Sequence, residues 1–193
     1  MKAKQGWVTL STLQSRNHSD GVFLLAQEIV KHIHRVNALR DMANQLNIMP
    51  LIHQLQDWQC QRLLVSHDDL AQQKRYQKAM AFFVEELYGP KDFSQRDADL
   101  VRVIPKLAKV LPDKAMNAMD DALSLNALSF DLDMAMAQYM DANYPGEPIH
   151  RDSYAQAYRH IGRAEDRAHQ IAIISHLGDQ LADVIKIRGI GML

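Results

Sequence analysis

The stretch from Pro112 to about residue 141 constrains the fold more than any other. Ala118, Ala122, Leu125, Leu128, Leu132, Met136 and Met140 recur at spacings of three and four, the period of a helix. Leu123, Ala127, Phe130, Met134 and Ala135 widen that stripe well beyond one face. A helix apolar over so broad an arc must be touched on several sides. The pattern therefore predicts a long central helix at about 113–141 with the rest of the chain packed around it. Met116, Met119, Met134, Met136 and Met140 lie in this segment, where flexible thioethers either fill an irregular core or line an adaptable apolar cavity.

The other segments read as shorter amphipathic helices. Residues 1–20 show little periodicity and are expected to form an N-terminal extension, with Asn17, His18, Ser19 and Asp20 leading into a helix. Val22, Leu25, Ile29, Ile33, Val36, Leu39 and Leu46 then trace a helix of about 25 residues. Asn47 and Pro50 mark a turn into a glutamine-rich helix with Leu51, Leu55, Trp58 and Leu63 inward. Ser66, His67, Asp68 and Asp69 cap a third. Pro105 inside the pattern of Leu100, Val103, Ile104 and Leu107 predicts a kink or a split, because proline cannot donate the helix bond. After the turn-rich Asn143–Pro148 come helices at about 152–161 and 162–187. No segment alternates as a strand does. The expected fold is an all-α, single-domain bundle of six or seven helices over 21–193.

The 22 basic and 23 acidic residues among 193 give a formal charge of −1, which argues against nucleic acid as a partner. The N-terminus has no secretory pattern and no stretch is long enough to span a membrane, so a soluble cytoplasmic protein is expected. Cys60 is the only cysteine, which excludes an internal disulfide and any multi-cysteine metal site; its setting is that of a packing residue. The apolar ending IRGIGML implies either continuation beyond residue 193 or a tail packed against something.

Residues 82–97, FFVEELYGPKDFSQRD, form a joint between two helices. Tyr76, Ala79, Met80, Phe83 and Leu87 share one face, Gly89 and Pro90 end the first helix, and Ser94 with Asp97 reads as a capping box for the second. FFVEELYG closely resembles the signature of the FFLEELY motif proteins, a bacterial group, with Val84 in place of leucine. The resemblance extends through GPKDFSQRDADLVRVIPKLAKVLP, LSLNALSFDLD and YAQAYRHIGRAEDRAHQI. It implies kinship over most of the chain beyond about residue 70 and brings no catalytic roles with it.

The sharpest functional inference comes from the last segment. If 159–185 is one helix, Arg159, Arg163, Arg167 and Gln170 share the face that continues as Ile174, Leu177, Leu181 and Ile185. Guanidinium groups extending an apolar face need anions. Glu86, Asp97, Asp99 and Asp133 are the candidates within the chain, Asp133 lying at the edge of the central helix's apolar line. Three readings stand: structural ion pairs joining the last helix to the joint, a site for an amphipathic anionic small molecule or lipid headgroup, and a surface for a protein partner or second subunit. No cofactor is expected. His169, His176, Glu165, Asp179 and Asp183 fall opposite the apolar face, and no Glu-x-x-His occurs, which argues against an intrinsic metal site. The chain has no G-x-S-x-G elbow, phosphate loop or dinucleotide fingerprint. Function is therefore read as non-enzymatic binding, with a dispersed acid-base site involving residues such as His150 or Tyr158, or a structural subunit, as alternatives.

Overall fold

The computed structural model describes residues 10–74 and 94–187. In these, α1 (Leu10–Gln45), α2 (Met49–Ser66), a single turn α3 (Asp68–Ala71), α4 (Ser94–Leu107), α5 (Asp113–Asn143), α6 (Arg151–Ile161) and α7 (Ala164–Ile187) follow one another, and no strand occurs among the described residues. The chain is an all-α, single-domain bundle with the expected long helix at its centre. The expected helix at 76–88, with the FFVEELYG string and Glu86, lies outside the described residues.

Helix α5 is 31 residues long, about 46 Å at 1.5 Å per residue, and α1, α2, α6 and α7 all pack on it. Its first half meets α1 and α4: Met116 is sealed against Ala26, Ile29, Ile33 and Ile104. Its second half meets the end of α1 and the start of α2, where Phe130, Met134 and Ala137 close on Ala43, Ile48 and Ile52. One more turn brings Met136 and Met140 against Leu55, Tyr154 and Ala157. The breadth of the apolar arc thus has a direct cause, since successive turns serve different neighbours. Met116, Met134, Met136 and Met140 are all buried in these clusters, as core filling requires. Cys60 is likewise buried as a free thiol, and burial, with the nearby Asp57 carboxylate, pushes its pKa up.

Several local expectations are corrected. Helix α1 begins at Leu10 and is 36 residues long, so it enters the segment read as an unpatterned extension. Leu46, expected inward, lies in the turn after α1 and is exposed. Its place is taken by Ile48 and Ile52, because Asn47 adopts a left-handed conformation (φ 57°) and redirects the chain. Pro105 does not split its helix: α4 runs through it to Leu107. In the last turn proline removes a single hydrogen bond, and Ala108 N still donates to Ile104 O at 2.9 Å.

The break that matters most falls at Gly162 and Arg163, both left-handed at φ 61° and 56°. The continuous helix from 159 onward does not form, and α7 restarts at Ala164. Within α7, Arg167, Gln170 and Leu177 keep the expected inward side and are half-buried. Ile173 is buried, whereas Ile174, expected inward, is 44% exposed and Ile171 65% exposed. Helix α7 runs antiparallel to α5, with Gln170 reaching Ser129 and His176 reaching Asp121. It packs on α5; residues 82–93 of the joint it was expected to approach lie outside the described residues.

At the start of α6, His150 accepts a hydrogen bond at Nδ1 from Ser153 N (3.3 Å), and Ser153 Oγ accepts one from His150 N (3.1 Å). This reciprocal cap fixes where Tyr154 and Ala157 enter the core. Ser153→Ala is expected to cost about 1 kcal/mol in urea unfolding. A loss under about 0.3 kcal/mol would show that packing alone starts the helix.

Candidate functional site

Asp133 and Met136 stand three residues apart on one face of α5, and that face floors a seam walled by α2, α6 and α7. The Asp133 side chain is buried and carries no guanidinium hydrogen bond. Gln59 Nε2 donates to its Oδ1 at 3.0 Å and Gln56 Nε2 to its Oδ2 at 3.2 Å, both from α2. Gln56 and Gln59 are three residues apart beside the inward Leu55, so the helical period of α2 aims both amides at one point. Burial pushes the Asp133 pKa up to about 6, against the opposing influence of Gln59, Gln56 and Arg167. An aspartate poised near neutrality at the meeting of four helices marks the place where function should be sought first.

The wall above it is aromatic. Trp58 and Tyr154 stack with ring centroids 4.4 Å apart, and Tyr158 follows one turn along α6, 6.3 Å from Tyr154. Arg62 lies over both Trp58 (5.6 Å) and Tyr154 (5.1 Å). At the other end the Arg167 guanidinium lies 4.6 Å from the centre of the half-exposed Tyr158 ring. Arg167 Nη2 donates to Met136 Sδ at 3.3 Å, a weak acceptor, and its buried Nε has no acceptor among the described residues. Burial pushes the Tyr154 hydroxyl pKa up, with Arg62 and Arg167 pulling the other way. Among the described residues, neither Arg62 nor Arg167 is in an ion pair with a carboxylate, so both guanidinium groups rest on rings and sulfur instead.

The remaining candidate residues are dispersed. Arg163 donates from Nη2 to Asp131 Oδ2 at 3.0 Å and from Nε to Asp166 Oδ2 at 2.6 Å. Arg35 of α1 donates to the same Asp131 oxygen at 2.7 Å. Burial alone would raise the Asp131 pKa, but the hydrogen bonds and charges of Arg163 and Arg35 outweigh it and hold the carboxyl below its usual value. Asp97 is buried at the start of α4 and accepts from Arg40 Nη1 (2.7 Å) and from Arg96 Nη2 (2.9 Å). Asp99 pairs with Arg102 on an exposed helical turn. Arg159 is exposed on α6, because the break at Gly162 takes it out of the row that continues with Arg167.

Of the residues singled out from sequence, Asp133 and Arg167 therefore come near enough to act on each other electrostatically without a direct bond, Asp97, Asp99, Arg159 and Arg163 go elsewhere, and Glu86 lies outside the described residues. Asp131 and Asp166, not Asp97, Asp99 or Asp133, supply the anions for Arg163. His176 is exposed, as its place opposite the apolar face requires, with Nδ1 2.7 Å from Asp121, and His32 Nε2 lies 3.3 Å from Asp120. Glu28 pairs with Lys31 on the exposed side of α1. No group of three metal-ligating side chains suited to holding an ion occurs among the described residues. Nor is any of their helices long and apolar enough to cross a membrane.

Comparison with protein families matches residues 38–193 to a domain of unknown function, DUF8198. The match takes in the end of α1 and every element from α2 onward, and so the whole seam. No curated protein and no solved structure matches the chain.

Proposed function

The chain belongs to the DUF8198 family, and on the geometry of the seam we propose that it is a non-enzymatic helical protein that binds an amphipathic anion there. The observation that carries this reading is that Arg62 and Arg167 flank an aromatic row without a carboxylate paired to either among the described residues. Guanidinium forks suit carboxylate, sulfonate or phosphate oxygens. The half-exposed ring of Tyr158, at the end of the row, suits an apolar or flat body laid against it. A chemical role for Asp133 is less favoured, because Gln56 and Gln59 occupy its two oxygens and an acid or base must reach the proton it transfers. The lone thiol, buried at Cys60, accords with a cytoplasmic setting. A protein partner is the second reading, favoured by the exposed Ile171 and Ile174 on α7.

Decanesulfonate below its micelle concentration, followed by titration calorimetry, tests the site. The wild-type chain should bind it, and Arg62→Ala and Arg167→Ala should each weaken binding by about tenfold or more. Arg62 is exposed, so its variant should fold normally. Undiminished binding in both variants, or none by the wild type, overturns the proposal.

A further inference from the structure

Asp133 and the anion site share one cation. Arg167 rests on Met136, one helical turn from Asp133 on the same face of α5. The groups facing Asp133 can be taken element by element. Helix α2 presents the uncharged Gln56 and Gln59, α6 presents Tyr154, and α7 presents Arg167. Helix α1 sends Arg35 to Asp131 and Arg40 to Asp97 instead. Arg167 is thus the cation that acts on Asp133, and it is also the inner of the two cations offered to the ligand.

We infer that Asp133 is the internal competitor for Arg167 and makes anion binding in the seam proton-linked: the site binds its anion more tightly when Asp133 is protonated. This rests on the anion-binding reading above. A ligand anion brought to Arg167 is repelled by an ionised Asp133 across a poorly solvated gap, whereas a neutral Asp133 imposes no such penalty. The buried carboxyl, with its pKa near 6, places the transition in a physiological range. By linkage the effect is reciprocal, so a bound anion draws a proton onto Asp133. The proton comes from solvent and no covalent bond to the ligand forms.

Decanesulfonate keeps its charge across the range, so changes in its affinity report the protein alone. Between pH 8 and pH 5 wild-type affinity should rise by about tenfold, the scale of a typical coupling between sites. Calorimetry at pH 7 in buffers of different ionisation enthalpy should show net proton uptake on binding. Asp133→Asn should bind at pH 8 as tightly as the wild type does at pH 5, with a flat profile and less proton uptake. A pH slope and proton uptake unchanged in Asp133→Asn overturn the inference while leaving the anion site standing. Absence of wild-type binding at every pH, or full binding by both Arg62→Ala and Arg167→Ala, overturns the site itself and the inference with it.

Discussion

Asp97→Ala should be among the most damaging single substitutions in this chain, lowering stability by about 3–5 kcal/mol. The carboxylate is 2% exposed and the Arg40 side chain only 12% exposed. Removing Asp97 deletes an acceptor for Arg40 and for both Arg96 Nε and Nη2. It leaves the Arg40 guanidinium, which also lies over Phe130, without this counter-charge in a poorly solvated place. Because Arg40 belongs to α1 and Asp97 to α4, the pair pins the two helices beyond the apolar contact of Ile104 with Ile29 and Ile33. Urea unfolding should show a lower midpoint, and the melting temperature should fall by about 10 °C. Asp99→Ala provides the contrast: its pairing with Arg102 is exposed, and the change should stay within about 0.5 kcal/mol. A loss below about 1 kcal/mol for Asp97→Ala would show that the pair contributes position rather than stability.

Asp133→Asn should act in the opposite direction and make the protein more stable at pH 8. The folded-state pKa of Asp133 stands above that of an unfolded carboxyl, so between about pH 4 and pH 6 the folded chain holds a proton that the unfolded chain has released. The stability linked to that proton is fully present below the ordinary carboxyl pKa and is lost as pH rises through about 6. A rise from 3.8 to about 6 corresponds to on the order of 3 kcal/mol. Asparagine resembles the protonated acid, with one acceptor for one glutamine amide and one donor that the other can meet by turning over. The variant should therefore match the wild type near pH 4 and exceed it by about 2–3 kcal/mol at pH 8. Denaturant melts at the two pH values measure this directly. A variant less stable than the wild type at pH 8 would mean that Arg167 and the glutamines compensate the buried charge in full.

The helices were largely legible because their apolar residues repeat at three and four, and the breadth of the stripe on α5 correctly marked it as central. What the sequence hid has identifiable causes. The periodicity test assumes one unbroken helix, so it missed that the turn at Gly162 and Arg163 detaches Arg159 from Arg167; within α7 the buried position is Ile173, and Ile174 beside it lies at the edge of the packed face. Asp131 escaped notice because Asp133 lies nearer the apolar line, yet Asp131 is the residue that α1 and the α6–α7 turn converge on. Arg40 and Asp97 are far apart in sequence, and nothing local to either marks the pairing. Gln56 and Gln59 could have been found: two amides three residues apart beside an inward leucine are placed to satisfy something buried. They were read only as good helix formers.

The turn formed by Gly162 and Arg163 also restricts how this protein can vary. Only those two residues separate α6 from α7, and Arg163 is tied by its side chain to Asp131 and Asp166. One residue inserted or deleted there would rotate all of α7 by about 100°. Arg167, Gln170 and Ile173 would leave α5 together, and the outward isoleucines would turn toward new neighbours. The Tyr144–Glu147 turn, by contrast, is largely exposed and makes its backbone bonds locally, Tyr144 N to Met140 O and Glu147 N to Tyr144 O. Length changes in related chains should therefore collect between α5 and α6 and be missing between α6 and α7.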